Sequence, residues 1–336
     1  MKIVALAGIA AAAIVLTAVS LSAAPEQSSE NKIRVAFFAN ISHAVPVVGM
    51  ERGEFAQELG DVRIESRIVD SGPQAIEALF ANSVDIAYVG PSPFINGYVK
   101  SGGHGLKILS GAASNGASFV VQSDSTISSG ADLAGKKLAA PLIGNTQDVS
   151  LRTYLSEFGL TPAERGGNVI VYNAANAEIF TLFAKGEIDG AWVPEPNATI
   201  LVEQLGGKRL FKEETLWPDN KFSSVVLVAR TDFIESHPEL IEKWLAAHKR
   251  TIKWINENPA ETESIFIDFY QKHTGKKLSE SIVHGAFSNI MITSDPVPES
   301  IYTFADRANA LGYLGRDKYT LDDIFYSKME VATWQS

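Results

Sequence analysis

Several short clusters, mostly rich in hydroxyl, amide and glycine residues, stand at the ends of apolar, strand-like runs. They are Asn40-Ile41-Ser42-His43, Gly90-Pro91-Ser92, Ser114-Asn115-Gly116, Gly144-Asn145-Thr146-Gln147-Asp148 and Trp192-Val193-Pro194-Glu195. None of them holds Lys or Arg. Residues of these types cap helices, and capping alone is a sufficient account of any single one. As a set they offer more. Helix N-termini facing one cleft present unpaired backbone N–H groups and positive dipole ends, which suit an anion. Hydroxyl and amide side chains beside them suit an oxyanion that stays charged and takes no proton. The turn Gly144–Asp148 is the strongest candidate: Gly144 lets the backbone come close, and Asn145 or Thr146 can cap while neighbours donate. The other candidate contacts are Asn40, Ser42, His43, Gly90, Pro91, Ser92, Ser114, Asn115 and Gln147. Glu195 fits either an ammonium group on a zwitterionic ligand or a solvated surface. Trp192 and Phe38 fit an apolar wall or ordinary core, and Arg152, one turn into its helix, fits a structural pair with a nearby acid.

Catalytic alternatives find little support. The chain has no cysteine, which removes disulfides, thiolate metal sites and cysteine nucleophiles. Its histidines, His43, His104, His237, His248, His273 and His284, show neither HxxxH nor HExxH spacing, so no metal and no cofactor is expected. No G-x-S-x-G elbow occurs. Gly130 to Lys136 imitates the start of a phosphate loop, but Lys137 stands where a hydroxyl must hold magnesium, and a strand follows instead of a helix. The rival reading, an exported hydrolase using the same cleft, needs an activated pair such as His43 with a carboxylate. Lys and Arg total 29 against 39 Asp and Glu, a net charge of -10, which argues against nucleic acid or anionic lipid as a partner.

The elements that position these clusters follow from periodicity. Across 336 residues, 46% hydrophobic and 20% charged, two compact lobes are expected. Residues 1–24 begin with Lys2, continue with an apolar run from Ile3 to Leu21 and end in small residues, the order of an export signal or a retained anchor. Residues 25–31 read as a leader. From residue 32 strands alternate with helical stretches, which predicts an α/β fold with parallel sheets. Strands are expected over 32–40, 62–69, 84–89, 106–113 and 117–122, all in a first sheet. Strands over 136–141, 168–174 and 189–193 belong to a second. Helices are expected over 43–59, 72–82, 147–158 and 177–185. LFANSVDIAYV (Leu79–Val89) echoes LFAKGEIDGAWV (Leu182–Val193), each followed by a proline-containing loop. Phe222–Arg230 reads as a strand returning to the first lobe, with helices beyond Thr231. Lobe 1 is thus expected over 32–124 plus 222–336 and lobe 2 over 125–221, joined by two hinge crossings.

The segments SGPQAIEALFANSVDIAYVGPSP (Ser71–Pro93), DLAGKKLAAPLIGNTQDVSLRTYLSEFGL (Asp132–Leu160) and GEIDGAWVPEP (Gly186–Pro196) carry a resemblance covering about residues 32–325. The chain resembles the extracytoplasmic solute-binding proteins of ABC importers, in the nitrate/sulfonate/taurine branch and nearest the aliphatic-sulfonate-binding proteins. That resemblance implies a two-lobed clamshell of the type II periplasmic-binding-protein kind, each lobe a mainly parallel sheet flanked by helices. It implies a monomer that captures a small oxyanion, foremost an aliphatic sulfonate, and hands it to a membrane permease. Taurine, nitrate and other small anions or aromatic acids are the alternative ligands. The family's ligand-facing turns match Ser42 and His43, Gly90 to Ser92, and Asn145 to Gln147, with Trp192 and Glu195 at the end of a second-lobe strand. Lipid-anchored relatives carry a cysteine after the signal; this chain departs from them. The lack of any cysteine and the export signal also argue against the suicidal pyrimidine synthases of a neighbouring branch.

Overall fold

The alternation of apolar runs and amphipathic stretches resolves, in a computed structural model describing residues 31–315 and 318–327, into two sheets clothed in helices. The export segment expected over residues 1–24 lies outside the described residues. In chain order the elements are β1 (Lys32–Phe37), a 3-10 turn (Ile41–His43) running into α1 (Ala44–Glu51), α2 (Glu54–Leu59), β2 (Arg63–Ile68), α3 (Gly72–Phe80), β3 (Ile86–Val89), α4 (Pro91–Lys100), β4 (Leu106–Asn115) and β5 (Ala117–Val121). There follow β6 (Lys137–Ala140), α5 (Thr146–Glu157), β7 (Ile170–Asn173), α6 (Asn176–Ala184), β8 (Gly190–Pro194), α7 (Asn197–Leu205), β9 (Lys208–Lys212) and β10 (Ser223–Arg230). The chain then continues through α8 (Thr231–Ser236), α9 (Pro238–Glu257), α10 (Pro259–Thr274), α11 (Glu280–Phe287), β11 (Ile290–Ile292) and α12 (Pro298–Ala310).

The first sheet has the order β11-β4-β10-β3-β1-β2 and the second β7-β6-β8-β5-β9. β1 is parallel to β2 and β3, and β6 to β7 and β8. β10 runs antiparallel to β3 and β4, β11 antiparallel to β4, and β5 antiparallel to β8 and β9. Most strands in each sheet therefore share a direction, as expected, but a reversed strand sits inside each sheet. Parallel neighbours need a helical crossover between them. β5 and β10 enter directly from the other sheet without one, and they arrive reversed.

That entry corrects one expectation. Residues 117–122 were assigned to the first sheet, yet β5 pairs in the second. The chain turns out of β4 at Asn115 and Gly116, both at positive φ (65° and 76°), a backbone state open to Asn and Gly. The first crossing therefore lies at Asn115–Gly116 instead of near residue 123. The helix expected over 43–59 is broken at Gly53, whose φ of 73° ends one helix and starts another. Periodicity did not disclose α4, α7, β9 or β11. The Pro-Ser-Pro run taken as a loop opens α4, because proline at the first helical position lacks only a donor that would be unpaired there anyway.

From Lys32 onward the described chain packs as one compact unit. Strand pleat divides the first sheet's side chains between two cores. Val35, Phe37, Tyr88 and Leu227 meet α1, α9 and α10 on one face, where Phe55 stacks on Trp244 with centroids 4.1 Å apart. Ala36, Val89, Val226 and Val228 meet Phe94 and Phe304 on the other. Each fully buried large side chain contributes about 1.5–3 kcal/mol through removal from water. The repeated LFA segments occupy matching places: each ends a helix, turns and enters a strand. Asp85 Oδ2 accepts the Arg34 N–H (2.8 Å) at the foot of β1, and Asp189 Oδ2 accepts the Lys137 N–H (2.7 Å) at the foot of β6.

Candidate functional site

In open α/β sheets, ligands bind beyond the carboxyl ends of the strands, where helix N-termini point. Here the carboxyl ends of β1, β2 and β3 from one sheet and β6 and β7 from the other border a single cavity of about 60 Å3. Phe38, Asn40, Ser42, His43, Asp70 and Gly90 line one side; Pro141, Leu142, Asn145, Thr146, Gln147 and Ala174–Asn176 line the other. Asn115, Gly116, Pro194, Ser224 and Val225 close it.

The turn into α5 is built to leave donors free. Asn145 takes the N-cap position with an extended backbone, but its side chain does not cap its own helix. Its Oδ1 instead accepts the Gly72 N–H (3.1 Å) from the start of α3, joining the two edges of the cleft. The N–H groups of Thr146 and Gln147 have no acceptor among the described residues, as expected of a helix start. Thr146 Oγ1 is buried without a hydrogen-bond partner, and so is Asn176 Oδ1 at the start of α6. A buried polar atom without a partner carries a desolvation cost of about 1–3 kcal/mol, which a bound ligand can relieve.

Asp148 anchors this turn from behind. It is fully buried; its Oδ2 accepts the Gly144 N–H (3.0 Å) and the Tyr313 hydroxyl (2.8 Å), and its Oδ1 accepts Arg152 Nε (2.7 Å) and Asn173 Nδ2 (2.8 Å). Burial and the neighbouring Asp148 carboxylate push the Tyr313 phenol's pKa up, so it remains a donor. Arg152 also binds Glu164, which makes it the structural partner of acids that the sequence suggested.

On the facing side, Asn40 Oδ1 accepts the Ser42 N–H (2.9 Å) and the Ser42 hydroxyl. His43 is buried, stacks on Phe38 with centroids 4.3 Å apart, and accepts the Phe38 N–H at Nδ1 (3.4 Å). An acceptor at Nδ1 leaves the ring proton on Nε2, and burial lowers the pKa to about 3. His43 is thus a neutral ring that can donate from Nε2, with no carboxylate partner among the described residues. Gly90 comes so close to α5 that an added Cβ would lie 2.5 Å from Thr146 Oγ1. The lining holds no Lys or Arg; Asp70, exposed at the rim, is its one acidic residue.

Of the residues singled out by sequence, Asn40, Ser42, His43, Gly90, Asn115, Asn145, Thr146 and Gln147 line this cavity. Pro91, Ser92, Ser114, Trp192 and Glu195 do not. Pro91 and Ser92 lie in the first turn of α4, and Ser114 lies within β4; all three are buried behind the wall. Trp192 donates Nε1–H to Glu213 Oε2 (2.6 Å) and packs among Phe119, Tyr154 and Phe211 in the second sheet's core. Glu195 is buried and already engaged: Oε1 accepts Arg209 Nη1 (3.0 Å) and Asn289 Nδ2 (2.8 Å), while Oε2 accepts the Thr199 N–H (3.0 Å). Its charge is met by the Arg209 guanidinium within the second sheet's frame, away from the cavity. Sequence reasoning missed Asp70, Pro141, Leu142 and Ala174–Asn176, although each follows a strand it had located. Applying the strand-end rule to every strand finds them. Ser224 and Val225 lie inside β10 and carry no local signal.

Among the described residues there is no group of His, Asp and Glu placed to hold a metal ion, and no helix long and apolar enough to cross a membrane. The model of the NMT1-like family matches residues 26–267. The taurine-binding periplasmic protein of Escherichia coli is 32% identical over 188 residues, a match that spans 56% of each chain. The alkanesulfonate-binding protein SsuA of Xanthomonas axonopodis pv. citri, bound to MOPS, superposes with a TM-score of 0.72 at 17% identity, covering 88% of this chain and 98% of that one. The periplasmic aliphatic sulphonate binding protein SsuA of Escherichia coli gives 0.71 at 18% identity, covering 89% and 98%. At such identities these likenesses establish a shared periplasmic-binding-protein fold.

Proposed function

Because the chain belongs to the NMT1-like family, we propose that it is the extracytoplasmic solute-binding component of an ABC importer. In this reading it captures a small oxyanion, foremost an aliphatic sulfonate, and passes it unaltered to a membrane permease. The observation that carries the proposal is the cavity at the strand ends, where free N–H groups of Thr146 and Gln147 converge with the unpartnered Thr146 hydroxyl and neutral His43. A sulfonate is ionised at every physiological pH and only accepts hydrogen bonds. Its ideal site offers donors that keep their protons near neutral pH, and the Thr146 and Gln147 N–H groups, the Thr146 hydroxyl and neutral His43 are of that kind. A hydrogen bond to a charged group contributes about 1.5–3 kcal/mol. Three or four of them give about 5–12 kcal/mol before the cost of immobilising the ligand, so burial of the ligand's alkyl carbon adds to them in reaching the about −8 kcal/mol of a micromolar complex.

The crossings at Asn115–Gly116 and just before β10 serve as hinges between a first lobe built on the first sheet and a second built on the second sheet. Residues 1–24 supply export. Calorimetric titration of the purified mature chain with ethanesulfonate, taurine, nitrate and bicarbonate tests the reading, with X-ray scattering of each mixture. Saturable sulfonate binding with compaction is expected. Binding of none of these anions, or recovery of a sulfonate chemically changed, refutes it.

Asp70 favours a second reading within the same class, an aminoalkanesulfonate whose ammonium pairs with that carboxylate at the rim. The taurine-binding relative points the same way. Asp70→Asn is then expected to weaken taurine several-fold while ethanesulfonate binds as before or better; an equal effect on both ligands removes Asp70 from ammonium recognition.

A further inference from the structure

A second cavity opens beside the first and shares the Asn40 and Asn176 walls with it. It measures about 390 Å3, against about 60 Å3 for the inner chamber. The inner chamber is the narrower of the two and holds the free donors of α5. The annex has a different character: Ala39, Phe180, Ile200, Tyr270 and Leu278 give it apolar walls, and no Asp or Glu lines it. At its outer end stand Lys276 and Lys277, exposed on the loop between α10 and α11, with no carboxylate paired to either among the described residues. The two chambers abut at Asn40 and Asn176, with free N–H donors on the inner side and two adjacent lysines on the outer one.

Resting on the sulfonate reading above, we propose that the annex holds the carbon tail of a longer organosulfonate, and that Lys276 and Lys277 select one whose far end is also anionic. The headgroup stays among the donors of α5, the chain passes between Asn40 and Asn176, and the apolar walls take up its methylenes. Burying each methylene strengthens binding by about fourfold. The lysines are exposed, so their preference for a distal anion is a few-fold effect that shrinks as salt rises.

The test is calorimetric titration of the mature chain, at low and high salt, with ethanesulfonate, hexanesulfonate and hexanesulfonate carrying a terminal carboxylate. Affinity is expected to rise in that order. In Ala177→Trp, where an indole on the exposed α6 surface fills the annex, the hexanesulfonate to ethanesulfonate affinity ratio should fall at least about tenfold. In the double variant Lys276→Glu/Lys277→Glu the advantage of the terminal carboxylate should vanish. If ethanesulfonate binds but lengthening gains nothing, or Ala177→Trp leaves the ratio unmoved, the annex is not a tail site and the sulfonate reading survives. A carboxylate gain that persists in the double variant overturns the role of the lysines. Failure of every sulfonate, short and long, overturns both readings together.

Discussion

Replacing Gly90 by alanine tests whether the close approach of the two sheets' strand ends is needed for tight binding. An ideal Cβ at this position lies 2.5 Å from Thr146 Oγ1, about 0.9 Å inside ordinary contact, while its next neighbours, Ser224 O at 3.6 Å and Pro93 Cδ at 3.7 Å, are unstrained. The Gly90 backbone, at φ −67° and ψ 154°, is one that alanine adopts freely, so β3 and α4 should fold as before. The collision is confined to the junction between Gly90 and the start of α5. Thr146 is β-branched in a first helical turn and has few rotamers with which to yield. Overpacking of this kind costs about 1–3 kcal/mol, which corresponds to roughly a 5- to 150-fold weaker sulfonate complex. Calorimetry reads the affinity, scattering reads the compaction, and a melting temperature within a few degrees of the parent shows that the fold is intact. Thr146→Ala removes the colliding oxygen but keeps the backbone donor, so in that background Gly90→Ala should cost little, with a coupling of about 1 kcal/mol or more. Wild-type affinity and compaction in Gly90→Ala, or an identical loss in both backgrounds, would refute the reasoning.

Two other predictions concern the frame of the site. His43 and His248 are buried neutral rings, their pKa values lowered by burial to about 3 and about 4 from an ordinary 6.5. His248 accepts the Tyr88 hydroxyl at Nδ1 (2.9 Å) and donates from Nε2 to Gly111 O (2.8 Å), which leaves no place for a second ring proton. The unfolded chain therefore binds more protons below pH 6.5. Stability should be flat above that pH and fall as it drops towards 3–4, by at most about 1.4 kcal/mol per pH unit for each ring. An acid slope in denaturant midpoints that is unchanged in His43→Gln/His248→Gln would assign the loss to other groups. Asp148→Asn strips the buried Arg152 of its fully buried counter-charge, leaving it only the half-exposed Glu164, and loosens the hold on the Gly144 N–H, so it should cost about 3 kcal/mol in urea unfolding and weaken the sulfonate complex as the turn loosens. Tyr313→Phe, which removes one donor to the same carboxylate, should cost about 1 kcal/mol; a larger loss than Asp148→Asn would invert the proposed order of dependence.

Local patterns carried much of this protein. The apolar runs Val35–Phe37 in β1 and Ile86–Val89 in β3 announced buried strands, because strands covered on both faces leave no polar period. The spacing of Leu79 to Asp85 and Leu182 to Asp189 announced two similarly built units. Clusters of Ser, Thr, Asn and Gly after the strands announced several of the helix starts around the cavity, and the missing cysteines removed thiol chemistry. These features are legible because each depends on residues a few positions apart.

Other features depend on partners distant in sequence. Whether residues 117–121 pair in the first sheet or the second turns on two positive φ angles at Asn115 and Gly116 and on which strands have a free edge, and the segment reads as a strand either way. Trp192 and Glu195 follow the right strand in the right order, yet Glu213, Arg209 and Asn289 claim their polar atoms from elsewhere in the chain. The annex joins walls from β1's loop, α6, α7 and the α10–α11 loop, which no window of sequence contains. The amino-acid order by itself determined the fold class and the rows of helix-start donors. Only the tertiary structure decided which donors remain unpaired and which face one cavity, because satisfaction of a polar atom is set by whatever long-range packing brings within 3 Å or so of it.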